Sequence, residues 1–156
     1  MTQHPPRSRA LLLGSFSGAL TVTLLNEGVR RALPHAPRMD VIGERALSAT
    51  LRAAHLPVPR GRALYFTTMA ADLLSNTLYY ALTGLGGPRR APLNGTALGF
   101  AAGLGGALLP PRLGLGHQPG ERPRTLVLTT LWYTLGGLAA GTVHRALSPT
   151  RTEPPR

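Results

Sequence analysis

Apolar residues run in four long stretches, at about 10–33, 64–85, 93–109 and 125–147, and proline, arginine and polar residues gather between them. Each stretch has the length and continuity of a helix buried in an apolar medium rather than the alternation of a half-buried strand. Pro34, Pro37, Pro57, Pro59, Pro88, Pro92, Pro110, Pro111, Pro119 and Pro123 fall between the stretches, where helix breakers belong. The first stretch is apolar only from Ala10 to Leu25, roughly 24 Å at about 1.5 Å per residue, so it reaches bilayer thickness by continuing through "NEGVRRAL" to Leu33. Ser17-Gly18-Ala19 would serve as a signal-peptidase site in a competing reading, but the apolar region before it is very short, and an uncleaved first span is expected.

The pattern changes between the first two stretches. "DVIGERALSATLRAAHL", residues 40–56, places Glu44, Arg45, Ser48, Arg52 and His55 on one arc, with Ile42, Ala46, Leu47, Ala49, Leu51, Ala53 and Leu56 elsewhere. This predicts an amphipathic helix capped by Asp40 and ended by Pro57, lying on the membrane or against the bundle. The expected fold class is therefore all-α: a small polytopic membrane bundle of about four transmembrane helices plus this interfacial helix. It forms a single domain over 10–147, with disordered tails at 1–9 and 148–156.

Composition sharpens this picture. Mean hydropathy is only +0.03, because the polar residues are concentrated outside the apolar stretches. All 17 basic residues are Arg, set against 6 acids, for a net charge of +11. The Arg residues flank apolar segments singly or in pairs, without a basic run, which predicts contact with anionic lipid headgroups rather than nucleic acid. Ten fall on the side of the first and third connections and seven on the other, so the positive-inside rule leans towards termini outside the cytoplasm. The exclusive use of Arg suggests a GC-rich coding sequence and a bacterial inner membrane. Cys is absent, which removes disulfides and thiolate chemistry. His4, His35, His55, His117 and His144 are scattered, so no metal site and no cofactor is expected.

One charge breaks the second stretch. Asp72 sits in an otherwise uncharged run from Ala63 to Gly87. On a helix, Tyr65, Thr68, Asp72, Ser75, Asn76, Tyr79 and Thr83 share one polar stripe of about 100°. A carboxylate at the centre of a span costs ~2.5–3.5 kcal/mol on insertion scales, so it faces the bundle interior with a partner or a proton. Thr68, Asp72, Ser75, Asn76 and Tyr79 are thus candidates for an ion or substrate site, or for polar glue between helices. Thr130, Tyr133, Thr134, Gly137, Gly141 and His144 share an arc on the fourth stretch and are the expected partners of that stripe. Glu27, Arg30 and Arg31 form a second candidate, an ion-paired helix end that could meet a lipid phosphate. Small residues at intervals of four (Gly14 and Gly18; Gly95, Gly99 and Gly103; Gly137 and Gly141) predict close helix packing, within one chain or between copies in a homo-oligomer.

Three functional classes follow. The composition favours a non-enzymatic structural or packing component. The alternatives are a proton- or cation-coupled transporter or channel-like subunit using the Asp72 stripe, and a lipid-modifying enzyme in which Asp72 or Glu27 does acid/base work and Arg30 and Arg31 hold phosphate.

Overall fold

The structure is a computed structural model that describes residues 7–33, 36–116 and 122–148. Five α-helices make up the fold, and there are no strands among these residues: α1 (Arg7–Ala32), α2 (Met39–Ala53), α3 (Arg62–Tyr80), α4 (Ala91–Leu108) and α5 (Arg122–Leu147). Arg7, Ser8 and Arg9, expected in a disordered tail, already belong to α1, and Ser148 is buried, its hydroxyl donating to the His144 carbonyl at 2.7 Å. The rest of both expected tails lies outside the described residues.

The helix ends depart from expectation for local reasons. The second stretch stops as an α-helix at Tyr80 and tightens into a 3₁₀ turn, Ala81–Gly84, before Gly86 and Gly87 reverse the chain at φ 80° and 88°. Pro92 and Pro123 sit in the first turns of α4 and α5, where a missing N–H costs nothing, so both helices begin before the apolar stretches do. α2 ends at Ala53 rather than Leu56. Leu56 N–H donates to the Leu51 carbonyl at 2.8 Å and His55 N–H to the Arg52 carbonyl at 3.0 Å, with His55 left-handed at φ 57°. That is a Schellman closure with histidine where glycine is usual. Nor does Asp40 cap α2: Arg38 holds the cap position, and Asp40 lies in the first turn, salt-bridged to the Arg38 side chain.

α1, α3, α4 and α5 run alternately up and down as a bundle. Gly14 and Gly18 of α1 lie against Ala140 and Gly136 of α5, and Gly95, Gly99 and Gly103 of α4 against Gly137, Tyr133 and Thr130. The order of these pairs makes both packings antiparallel. A Cβ on Gly14 would stand 2.6 Å from the Ala140 carbonyl oxygen, and one on Gly18 2.6 Å from the Ala140 Cβ. On the other face of α5, a Cβ on Gly95 would run into the Gly137 carbonyl and one on Gly141 into the Ala91 carbonyl. α5 is thus pressed between α1 and α4 on small residues, and the small-residue spacing serves contacts within this chain. α3 closes the bundle. Tyr79 donates to the Leu98 carbonyl of α4 at 3.0 Å, and the fully buried Tyr80 to the Tyr133 carbonyl of α5 at 2.7 Å.

The bundle is inside out by the standards of a protein folded in water. Its buried residues are mostly Ala, Gly, Ser, Thr, Asn and Tyr, whereas Leu12, Leu24, Phe66, Leu74, Leu78, Leu93 and Val127 are each more than 60% exposed. Apolar side chains stand outward from all four long helices, far more than scattered surface leucines. By length and composition, two helices could cross a membrane, α1 and α5 from Pro123 onward. The other two expected spans fall short: α3 is interrupted by Asp72, Asn76 and its early stop, and α4 has only 18 residues rich in Gly.

Candidate functional site

The hydroxyls of the bundle divide into two kinds. Most are satisfied on their own helix: Ser15, Thr21, Thr23, Thr67, Thr77, Thr96, Thr134 and Thr142 each donate to the carbonyl four residues back, at 2.7–3.1 Å. That bond lets a hydroxyl sit in an apolar medium at small cost. Thr68, Thr83 and Thr130 are different. Their Oγ1 atoms are buried without a hydrogen-bond partner, and so are Oδ1 of Asn26 on α1 and Nδ1 of His144 on α5.

Of these, Thr68 and Asn26 line the same cavity. It has a volume of about 150 Å³, room for a few waters, and is bounded also by Asp72 and Met69 of α3, Met39, Asp40, Ile42 and Gly43 of α2, and Tyr133 of α5. α3 supplies Thr68 and Asp72 because they are four residues apart and share its inward face. Asn76, one turn further on and buried, lies near both the Asp72 carboxyl and Tyr133. α2 can lie against α3 because Gly43 has no side chain; a Cβ there would stand 2.8 Å from Cγ2 of Thr68. Two carboxyl groups, an amide oxygen and hydroxyls therefore face one small space, with two of those oxygens unpaired.

An ion-pair network stands beside the cavity, where α1 ends and α2 and α3 begin. Arg30 grips Glu27 through two bonds, Nη2 to Oε2 at 2.6 Å and Nε to Oε1 at 3.2 Å, and its Nη1 lies 3.9 Å from Oδ2 of Asp40. Arg31 reaches Glu27 at 3.3 Å, and Tyr65 of α3 donates its hydroxyl to Glu27 at 2.9 Å. Arg38 holds Asp40 in the same forked manner, at 2.9 and 2.8 Å. Burial pushes the Asp40 carboxyl upward; the bonds from Arg38 and the charges of Arg38 and Arg30 outweigh it, so its pKa lies below the usual aspartate value. Asp40 belongs to both structures, since its carboxylate closes the network and its side chain lines the cavity.

Several of the candidate residues go elsewhere. Ser75 is exposed and donates to the Asp72 carbonyl at 3.1 Å, and Tyr79 turns to α4. The expected partner arc on α5 faces α3 only through Tyr133. Thr130, Thr134, Gly137 and Gly141 pack on α4, and His144 lies against Gly14 of α1. The reason is geometric: α5 uses its smallest residues where backbones approach most closely, and α4, with Gly95, Gly99 and Gly103, permits the closest approach. Gly14, Gly18, Gly95, Gly99, Gly103, Gly137 and Gly141 all lie in these seams. Glu27 pairs with both Arg30 and Arg31, but Arg30 is shared between two carboxylates and is not a free phosphate ligand.

Two contributors were not visible as site residues in the sequence. Asn26 is a polar residue one position before the conspicuous Glu27, and its position in an otherwise apolar helix was the available signal. Asp40 read as a helix cap, and nothing local in the sequence showed that it would turn into the bundle. Among the described residues no three His, Asp or Glu side chains come together as a metal site. The chain matches no protein-family model and no curated protein or solved structure.

Proposed function

We propose that this chain is a four-span membrane protein that binds a proton or small cation in the cavity around Asp72, as a transporter or channel-like subunit. The exposed leucines and phenylalanines on all four long helices support four spans, since lipid is the medium in which that surface is stable. α3 can tolerate its polar residues there because Asp72 and Asn76 turn into the bundle rather than towards lipid. A bacterial inner membrane suits the Arg usage, with the α2 end, which carries more Arg, on the cytoplasmic side.

The observation that carries the reading is the cavity itself. Thr68 and Asn26 leave oxygen atoms unpaired where they face Asp72 and Asp40, while most hydroxyls around them are satisfied on their own helices. Unpaired buried oxygens beside carboxylates favour a guest that accepts lone pairs: a proton carried by water, or a cation. Asp72 would hold it at mid-span, with the Thr68 and Asn26 oxygens beside it.

The test is flux in proteoliposomes under proton, sodium and potassium gradients. The native chain should conduct or exchange one of these, and Asp72→Asn should abolish that activity while leaving the thermal melt in detergent within a few degrees. Absence of flux under all three gradients would sink the proposal. A packing component, the reading drawn from the glycine seams, would then remain, with Asp72→Asn mild and Asp72→Leu loosening the bundle.

A further inference from the structure

A second hollow opens on the outside of the bundle, between the 3₁₀ turn and α4, at the end opposite α2. Its volume is about 340 Å³, and Leu82, Leu85, Asn94, Ala97, Leu98 and Ala101 line it. From Asn94 to Ala101 it follows α4 for roughly 10 Å, at about 1.5 Å per residue. Ala97 and Ala101, one turn apart and both exposed, leave open a slot that longer side chains would fill. The mouth is polar. Asn94 donates its side-chain amide to the Leu85 carbonyl, which pins the turn to α4. Gly86, left-handed at φ 80°, gives room to the stem of Arg90; a Cβ there would stand 3.4 Å from Cδ of Arg90. Arg89 and Arg90 are exposed and make no ion pair among the described residues.

We propose that this groove binds a phospholipid of net negative charge, with one acyl chain along Ala97 and Ala101 and the phosphate reached by Arg90 and Arg89. Charge selects the headgroup. The ends of α1 and α5 at this level carry Arg7, Arg9 and Arg145, which are also exposed and without an ion pair among the described residues. The described acids lie elsewhere: Glu27, Asp40 and Glu44 at the α2 end, and Asp72 inside the bundle. A lipid anion here enters the field of five arginines, whereas the ammonium of a zwitterionic lipid would find no described carboxylate to meet. A second copy seated on the groove would bring these arginines towards its own, which argues against a dimer contact. Inorganic phosphate alone would leave the leucines and alanines uncovered. The inference rests on the four-span part of the proposed function, because the mouth lies at headgroup level only if the long helices span a bilayer. It moves the lipid phosphate expected at Arg30 and Arg31 to the opposite end of the bundle, since Arg30 is already committed to Glu27 and Asp40.

Native mass spectrometry of the full chain in mild detergent tests it. The delipidated protein is titrated with a phosphatidylglycerol, a phosphatidylethanolamine of the same chains, or inorganic phosphate. The phosphatidylglycerol should bind most tightly. Arg90→Ala should weaken it about fivefold, the size of one arginine's attraction for an anionic lipid, and narrow its lead over the ethanolamine lipid. Ala101→Phe fills the slot and leaves every arginine in place, so it should weaken both lipids; because Ala101 is exposed, the detergent melt should hold. Arg52→Ala, an exposed arginine at the α2 end, should change nothing. Equal affinity of the native chain and either groove variant overturns the proposal, as does equal binding of the two lipids or displacement by inorganic phosphate. An equal loss in Arg52→Ala means annular lipid only, and a dimer that Ala101→Phe splits means that a second copy takes the groove; both overturn it. A chain that stays in the membrane pellet and fails these titrations defeats this inference alone. A chain that leaves the pellet without detergent defeats the membrane reading as well. Titrations as expected without ion flux defeat the ion site and leave the lipid site standing.

Discussion

The two sides of this bundle solve the same problem differently. Along α5, where α1 and α4 press on it, contact is made by glycine and alanine, and carbonyl oxygens stand where side chains would otherwise be. Along α3, where α2 crosses it, contact is made by Asp, Asn, Thr and Tyr, and a cavity remains. The first arrangement gains from close packing of backbones, and little can be added to it. The second tolerates empty space beside two carboxyl groups, which a packing role alone does not require. The difference separates the part of the molecule that holds it together from the part with spare chemistry.

Substitutions can widen or erase that contrast. The largest effect is expected from Gly95→Leu. Its side chain would be driven into the Gly137 backbone, so a loss of about 3 kcal/mol or more is expected, read as collapse of the detergent melt. Gly28→Ala, whose new methyl would meet nothing within 4 Å, is the control and should be neutral or slightly stabilising.

Asp40→Asn should be milder. It weakens the Arg38 fork and the contact with Arg30, both partly solvated, at a cost of about 1 kcal/mol. Because the folded pKa of Asp40 is lowered, the ionised pair contributes fully above the ordinary aspartate range, and that contribution fades as pH falls through it towards the folded value. The melting difference between native and Asp40→Asn chains should therefore shrink on acidification below about pH 4. A difference that grows there would remove Asp40 from the network.

Smaller effects sharpen the contrast from the other side. Thr68→Val removes a buried hydroxyl without a partner, so stability should rise by up to about 1 kcal/mol while any ion response falls. Gain without loss would mean the cavity has no guest. His55→Gly relieves a left-handed residue at the end of α2 and should stabilise by about 1 kcal/mol, with no effect on flux.

The helices were legible in the sequence because apolar length and proline placement are local signals. Asp72 and Asn76 were legible because a polar stripe in an apolar helix stands out. The path of α2 was not, since its crossing of α3 depends on Gly43 meeting Thr68, a pairing between residues 25 apart in number. The spacing of glycines showed that helices would touch but not which ones. Only the opposed order of Gly95, Gly99 and Gly103 against Gly137, Tyr133 and Thr130 identifies α4 as the partner. Asn26 and Asp40 acquire their meaning in the same way, from helices brought together after they form.

The position of α5 between α1 and α4 has a consequence for how the molecule is made. α5 leaves the ribosome after both of the helices that flank it, so until it emerges their glycine faces have nothing to grip. Assembly of the bundle must therefore wait until α5 slides between them like a key. A chain cut short before α5 would leave both glycine faces uncovered.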